Sequence, residues 1–334
     1  MQWHRGTPGH TGAHRRTRSR RRADTLPAVT PATDHFADTL TAAMTDKRSR
    51  VCVGIDPNYA LLPAEITGEA GRRGDGDTAA VIDAFYAFTT GVLDAVAEHA
   101  AAVKFQSAYF EQYHAEGVEA YFALIQEAKT RDLVVIGDAK RGDIGATSAA
   151  YATGHLVPHA ADDLDTADAL TVNPMMGLDT LTPFVETARA HGKGLFVLVR
   201  TSNPGSALLQ DATLQDGRTW SRALADALAP VADEELGSCG YSSVGAVVGA
   251  TQPHTLADLR GALPRSIFLL PGYGAQGATA EMVTSAFNDD GLGALVSASR
   301  SVTYAEPTDG EPWQHAVQRA AAKMQADLNK AAGL

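Results

Sequence analysis

The sequence predicts a (β/α)8 barrel, the TIM-barrel fold, from three observations. Short apolar runs rich in Val, Ile and Leu recur along the chain, and segments with helical apolar spacing separate them. Such an alternation indicates a parallel sheet covered by helices. We count eight units over about 250 residues, which favours a closed barrel over an open, doubly wound sheet.

The elements follow in order. A helical pattern begins near Asp34 and precedes the first apolar run. The eight predicted strands are VCVGID (51–56), AAVKF (101–105), LVVIGDAK (133–140), DALTVN (168–173), GLFVLV (194–199), GAVVGA (245–250), IFLLPG (267–272) and GALVSA (293–298). Amphipathic segments between them predict helices, including 78–99, 115–130, 178–191 and 220–235.

The charge distribution divides the chain at about residue 33. Seven arginines and no acidic residue lie in residues 1–23, so the other residues carry 21 basic and 39 acidic side chains, a net charge of −18. We expect residues 1–33 to form a disordered, Arg-rich tail and residues 34–334 to form a single catalytic barrel. An acidic body argues against nucleic-acid binding.

Composition excludes several other classes. No apolar run reaches the roughly 18 residues of a membrane helix, so we expect no membrane partner. Cys52 and Cys239 are too few for a disulfide framework, which favours a reducing, cytoplasmic compartment. The scattered histidines form no HExxH motif, so we expect no metal site.

Charged residues gather where the predicted strands end. Asp138 and Lys140 lie two residues apart at the end of the third run, and Lys104 lies near the end of the second. Catalytic residues of such barrels lie at the carboxyl ends of the strands. A lysine beside carboxylates remains a cation and is a good proton donor to a carbanion. The pattern therefore suggests loss of CO2 followed by protonation, although a structural ion pair would also fit.

A glycine pattern follows the seventh run. Gly272, Gly274 and Gly277 form GxGxxG after a strand and before a predicted helix, but the acidic residue of a dinucleotide site is missing. The loops after strands seven and eight of a barrel commonly bind phosphate. We therefore expect glycine amides, Gln276 and Arg300 to bind a phosphate group, with turn glycines of purely structural role as the alternative.

With these residues in view, the chain resembles the orotidine 5'-phosphate decarboxylase family over about residues 35–305. The family signature D-x-K-x-x-D-I corresponds to Asp138, Lys140, Asp143 and Ile144. The form DAKRGDIGAT, with VCVGIDPN and VKFQ before it, resembles the bacterial subgroup with longer loops. The resemblance implies a charged tetrad of Lys104, Asp138, Lys140 and Asp143, in which Lys140 donates a proton to C6.

The resemblance also implies how orotidine 5'-phosphate is held. Asp56 and Lys104 match ribose contacts, and Ser202 matches a contact to the pyrimidine. Gln276 and Arg300 match phosphate ligands. We expect no cofactor, because the sequence shows no electron sink such as a pyridoxal lysine site.

A homodimer with shared active sites is implied as well. Asp143 and Thr147 match residues that reach into the site of the partner subunit. The stretch from Ser206 to Gly240 is longer than in compact family members and departs from the pattern, as does the basic tail.

Two alternatives remain at this point. A metal-dependent sugar-phosphate decarboxylase or lyase of the same superfamily shares the signature but carries an acid where Lys104 stands. A non-catalytic barrel with an RNA-binding tail would not need the tetrad.

Overall fold

The computed structural model describes residues 34–71, 77–160, 165–250, 253–274 and 277–334. The predicted tail of residues 1–33 therefore lies outside the described residues, as does Gln276.

The predicted (β/α)8 barrel is confirmed. Parallel strands pair in chain order, and the last pairs with the first to close the barrel. The described strands are β1 Val51–Ile55, β2 Ala102–Gln106, β3 Val134–Arg141, β4 Ala169–Val172, β5 Gly194–Arg200, β6 Ser242–Val248, β7 Ser266–Pro271 and β8 Ala294–Ala298.

Helices separate the strands. The described α-helices are α1 Phe36–Asp46, α2 Ala64–Gly71, α3 Thr78–Val96, α4 Ala108–Glu111, α5 His114–Lys129, α6 Gly145–Leu156, α7 Thr182–Ala190, α8 Ala207–Gln210, α9 Trp220–Asp233, α10 Pro253–Ala262, α11 Arg300–Thr303 and α12 Trp313–Ala331. Short 3-10 helices cover Tyr59–Leu61, Leu178–Leu181, Pro204–Ser206 and Glu281–Ala286.

Two helix predictions need correction. The predicted helix over 178–191 begins as a 3-10 turn, and the α-helix starts at Thr182, with Pro183 in its first turn where a missing N–H is tolerated. The glycine pattern after β7 is followed by the 3-10 helix Glu281–Ala286 and not by an α-helix. A dinucleotide site of the type that places phosphate on an α-helix therefore has no support here.

The helix α1 closes the end of the barrel where the strands begin. Phe36, Leu40 and Met44 are buried with strand residues that point into the barrel. The Phe36 ring packs edge-to-face on Phe196. It also packs directly on Gly194, where a Cβ would clash with the ring at 2.1 Å. Each such buried side chain stabilises the fold by about 1.5–3 kcal/mol. The opposite end, where the strands finish, remains open for a site.

One described helix could cross a membrane by length and composition, although the sequence suggested no such segment. It is α3, with a mean hydropathy of 1.4. Its large apolar residues Phe85, Phe88, Val92 and Leu93 are buried in the main core. Since α3 packs on α5 and α12, we interpret it as a core helix.

Candidate active site

The carboxylate of Asp138 is the centre of a buried polar cluster at the open end of the barrel. Its Oδ2 accepts hydrogen bonds from Lys104 Nζ at 2.7 Å and from Gln106 Nε2 at 3.1 Å. Its Oδ1 accepts from Lys140 Nζ at 2.6 Å and from Thr171 Oγ1 at 2.9 Å. The strands β2, β3 and β4 thus supply donors to a single carboxylate, which fixes its orientation.

Charge sets the protonation of this cluster. Burial alone would raise the pKa of Asp138, but the adjacent ammonium groups of Lys104 and Lys140 outweigh it and hold that pKa well below its usual range. Burial would likewise lower the pKa of Lys104, yet Asp138 and Asp56 raise it above its usual value. Asp138 is therefore an anion and Lys104 a cation near neutral pH.

The backbone at Lys140 is unusual. Its φ is 49°, in the left-handed region, which costs about 1–3 kcal/mol for a residue other than glycine. The register between β3 and β4 shifts between Gly137 and Arg141. Alternation of side chains along a regular strand is therefore not what brings Lys140 beside Asp138.

Asp56 follows β1 and faces the same cluster. Its Oδ1 lies 4.0 Å from Lys104 Nζ. That oxygen is buried and has no hydrogen-bond partner among the described residues. The loop carrying Asp56 is held by the Tyr304 hydroxyl, which accepts from Asn58 N at 2.8 Å and donates to Asp56 O at 3.2 Å. A buried acceptor without a donor is suited to a hydroxyl group of a ligand.

A cavity of about 350 Å³ opens beside this cluster. Its lining residues come from strands β2 and β8 and from the segments that follow β1, β2, β7 and β8, and they include Asp56, Asn58, Lys104, Tyr109, Gly272, Tyr273, Ser297, Ser299, Arg300 and Tyr304. Arg300 is exposed and begins α11. The cavity is thus lined by the Asp56–Lys104 pair and by Arg300.

The glycine turn after β7 contributes less than expected. The Gly274 amide donates to Ala278 O at 3.0 Å, and the Gly277 amide donates to Gly274 O at 2.9 Å. These two amides are used inside the turn, so the prediction that they bind phosphate is wrong for this conformation. Gln276 lies outside the described residues, and Arg300 is the predicted phosphate ligand that the structure places at the cavity.

Among the described residues, no hydrogen bond or ion pair joins the side chains of Asp143 and Thr147 to the Asp138 cluster. Asp143 Oδ1 accepts from Ile144 N at 2.8 Å, and no ion pair joins it to Lys140 in the described part of the chain. Thr147 is exposed on α6. Ser202 lies just after β5, and its backbone packs on Gly249. A Cβ added at Gly249 would lie 3.0 Å from Ser202 Cα.

Sequence reasoning missed Gln106 and Thr171. Gln106 could have been found, because it lies two residues from Lys104 on a strand and so shares its face. Thr171 gave a weaker signal, as the single hydroxyl side chain in the apolar run DALTVN. Its place opposite Asp138 depends on the irregular register of β3 and β4, which the sequence does not reveal.

In the described residues, no group of three or more His, Cys, Asp or Glu side chains could hold a metal ion. Lys104 and Lys140 instead place two cations on the carboxylate that is most buried in the site.

Comparisons with known proteins agree on one family. Residues 49–311 match the family model described as orotidine 5'-phosphate decarboxylase / HUMPS family. Orotidine 5'-phosphate decarboxylase from Rhodopirellula baltica is 40% identical over 301 residues, covering 88% of this chain and 98% of that protein. The enzyme of the same name from Deinococcus radiodurans is 43% identical over 308 residues, covering 90% and 100%. The solved structure of Leishmania donovani OMP decarboxylase superimposes with a TM-score of 0.67 at 31% identity, covering 90% of this chain and 99% of that one.

Proposed function

The chain belongs to the orotidine 5'-phosphate decarboxylase / HUMPS family, and from this membership we propose how its residues divide the reaction among themselves. The protein is an orotidine 5'-phosphate decarboxylase, a carboxy-lyase that forms UMP and CO2 in pyrimidine biosynthesis. The observation that carries the assignment of roles is the buried Asp138 carboxylate with Lys104 on one oxygen and Lys140 on the other.

Lys140 is the proposed proton donor. Cleavage of the bond between C6 and the carboxylate releases CO2 and leaves the electron pair on C6. The Lys140 ammonium then gives a proton to C6, which forms the C–H bond of UMP, and the amine regains a proton from solvent. Asp138 Oδ1 accepts a hydrogen bond from Lys140 Nζ at 2.6 Å, which fixes the direction in which the ammonium group points.

Asp138 is proposed to act on the ground state as well. Its pKa is held well below the usual range, so it stays ionised when an anionic substrate enters. A fixed negative charge repels the substrate carboxylate, which is charged, but it does not repel the departing CO2, which is neutral. The cations Lys104 and Lys140 meanwhile favour the charge that develops on C6, so the field of the site favours the transition state.

The remaining contacts are proposed to hold the substrate. Asp56 Oδ1, buried without a partner in the described residues, accepts a hydrogen bond from a ribose hydroxyl, and the Lys104 ammonium donates one to a ribose oxygen. Arg300 binds the phosphate at the cavity, with Gln276 as a second ligand, and Ser202 contacts the pyrimidine. Binding of the remote phosphate then organises the site around C6.

A homodimer with shared sites is part of the proposal. Large apolar side chains are exposed on the loops after β3 and β4 and on α6, namely Ile144, Tyr151, Met175 and Met176. The two loops are adjacent, since a Cβ at Gly142 would lie 2.5 Å from Asn173 O. An exposed apolar patch next to Asp143 and Thr147 suits a surface covered by a second copy, into whose site both residues would reach.

We further propose that the enzyme works without a metal in the cytoplasm. The Lys104 ammonium occupies the position where sugar-phosphate relatives carry a metal-binding acid, and it is tied to Asp138 at 2.7 Å. Cys52 and Cys239 are both free thiols, as suits a reducing compartment.

The test is UMP formation by Lys140→Ala, with and without EDTA. We expect kcat to fall about a hundred- to ten-thousandfold, the usual contribution of a positioned acid. Lys323→Ala removes an exposed lysine from α12 and should leave kcat unchanged. The wild type should keep its activity after dialysis against EDTA. Full turnover by Lys140→Ala, or activity that EDTA removes and Mg²⁺ restores, would overturn the proposed roles.

A further inference from the structure

We infer that Thr171 is a positioning residue of the reaction, which holds Asp138 and Lys140 in register through its hydroxyl group. The inference rests on the proposed function, because it assigns Thr171 a role through the two residues placed at the reacting centre. It adds a residue that lies outside the D-x-K-x-x-D-I signature, on the neighbouring strand β4.

The first argument is the irregular pairing of β3 with β4. Gly137 pairs with Leu170 and Arg141 pairs with Val172, so the residues from Asp138 to Lys140 all face Thr171 alone. The regular hydrogen bonds between paired strands cannot reach every backbone group in such a bulge. Lys140 N instead donates to Thr171 Oγ1 at 2.9 Å, so a side chain replaces the missing ladder partner.

The second argument is the direction of the hydroxyl proton. Thr171 Oγ1 lies 2.9 Å from Asp138 Oδ1 and 3.5 Å from Gly137 O. A hydroxyl has one proton to donate, and the shorter, charge-assisted bond to the carboxylate is the stronger. The hydroxyl therefore accepts from the Lys140 backbone and donates to the Asp138 side chain at the same time.

The third argument is strain and burial. Lys140 has a φ of 49°, which a residue other than glycine keeps only where its surroundings impose it. Thr171 is 1% exposed, so water has little access to replace its hydroxyl. Without that hydroxyl, the Lys140 amide would lose its acceptor, and Asp138 Oδ1 would lose one of its two donors.

The consequence concerns the chemical step more than substrate binding. Ribose and phosphate are held by other residues, so their contacts would persist when Thr171 changes. The Lys140 ammonium and the Asp138 carboxylate, in contrast, act on the reacting atoms and depend on their mutual geometry. A defect at Thr171 should therefore appear in kcat, with KM nearly unchanged.

The experiment compares Thr171→Val with Thr171→Ser. Valine keeps the shape but removes the hydroxyl, and we expect kcat to fall about ten- to a hundredfold, as for the loss of a hydrogen bond to a charged group. Serine retains the donor and acceptor and should restore most of kcat. UMP affinity, measured by calorimetry, should be the same for both variants. If Thr171→Val does not fold, Thr171→Cys takes its place. Because a thiol is a weaker donor than a hydroxyl, the kcat of Thr171→Cys should lie between those of the wild type and Lys140→Ala.

Thr89→Val is the matched control. Thr89 is fully buried in α3, and its hydroxyl has no partner among the described residues, so the same change there should leave kcat intact. Wild-type kcat in Thr171→Val, or equal losses in the serine and valine variants, would overturn the inference. Lys140→Ala is assayed in parallel: an inactive Lys140→Ala beside a fully active Thr171→Val removes only the role of Thr171, whereas an active Lys140→Ala removes the proposed function itself.

Discussion

At the scale of single residues, the site is organised around one ionised carboxylate. Lys104 and Lys140 lower the pKa of Asp138 despite its burial, and the same carboxylate raises the pKa of Lys104. A buried charge is tolerated only when it is paired and fully hydrogen-bonded. The four donors on Asp138 meet that condition, so a strongly charged site can persist in the barrel without unfolding it.

The sequence could predict that Lys104, Asp138 and Lys140 converge, since all three lie at the ends of adjacent strands. It could not predict the left-handed backbone of Lys140 or the bond from Thr171, because both depend on how β3 and β4 pair. Glycine amides after β7 were expected to bind phosphate, yet those of Gly274 and Gly277 close their own turn. Backbone donors are identified only when the conformation of a loop is known.

Arg300→Ala separates phosphate binding from support of the fold. Arg300 lines the cavity, and we propose that its guanidinium acts only through the phosphate. We expect kcat/KM for orotidine 5'-phosphate to fall about a hundredfold, whereas turnover of phosphate-free orotidine stays nearly unchanged. Steady-state assays of both substrates measure this, with the exposed Arg218→Ala as control. Equal slowing of the two substrates would mean that Arg300 supports the barrel instead.

At the scale of elements, the long stretch between β5 and β6 is tied to the turn that carries Ser202. Arg200, at the end of β5, binds both oxygens of Asp211 at 2.8 Å. The Thr201 amide donates to Gln210 Oε1 at 2.8 Å. The stretch from Ser206 to Gly240, which is longer than in compact family members, therefore holds the loop after β5 in place through Gln210 and Asp211. Its length was visible in the sequence, but these contacts were not.

Asp211→Ala should release this brace. Arg200 is 5% exposed, so it would lose its charge partner inside the protein. Breaking a fully buried pair costs about 3–5 kcal/mol, and since Asp211 is partly exposed we expect a loss of about 2 kcal/mol in the free energy of unfolding. KM for orotidine 5'-phosphate should rise as the Ser202 turn loosens. Urea unfolding and steady-state kinetics test both effects.

Asp216→Ala is the control for that measurement. Asp216 belongs to the same stretch, but its pair with Arg218 is exposed on both sides, and exposed pairs contribute little. Its stability and KM should match the wild type. A similar loss in both variants, or none in Asp211→Ala, would contradict the bracing role of the segment.

At the scale of the whole molecule, the barrel was predictable because each apolar run is long enough for one buried strand and several intervening segments, such as 78–99 and 220–235, are amphipathic. Closure at one end by α1 was less evident, although Phe36, Leu40 and Met44 repeat with helical spacing. The closed end leaves the strand carboxyl ends as the available site. Among the described residues of one chain, no hydrogen bond or ion pair joins the side chains of Asp143 and Lys140, and this bears on assembly.

The shared-site model makes a quantitative prediction about mixed dimers. Asp143 lies beyond the end of β3, and the structure pairs its side chain with the Ile144 amide and not with Lys140. Lys140→Ala and Asp143→Ala should each be nearly inactive. In a hybrid of the two, one site carries both defects, and the other combines an intact Lys140 from one chain with an intact Asp143 from its partner.

Random reassociation of equal amounts makes about half of the dimers hybrids, so activity should recover to about a quarter of the wild-type value under two-fold symmetry. The measurement is to dissociate the mixed variants mildly, let them reassociate, and assay turnover while mass spectrometry counts the hybrids. Each variant taken alone through the same cycle is the control. Hybrids that form without any recovered activity would place Asp143 in the same site as its own Lys140, and each barrel would then be a complete enzyme without its partner.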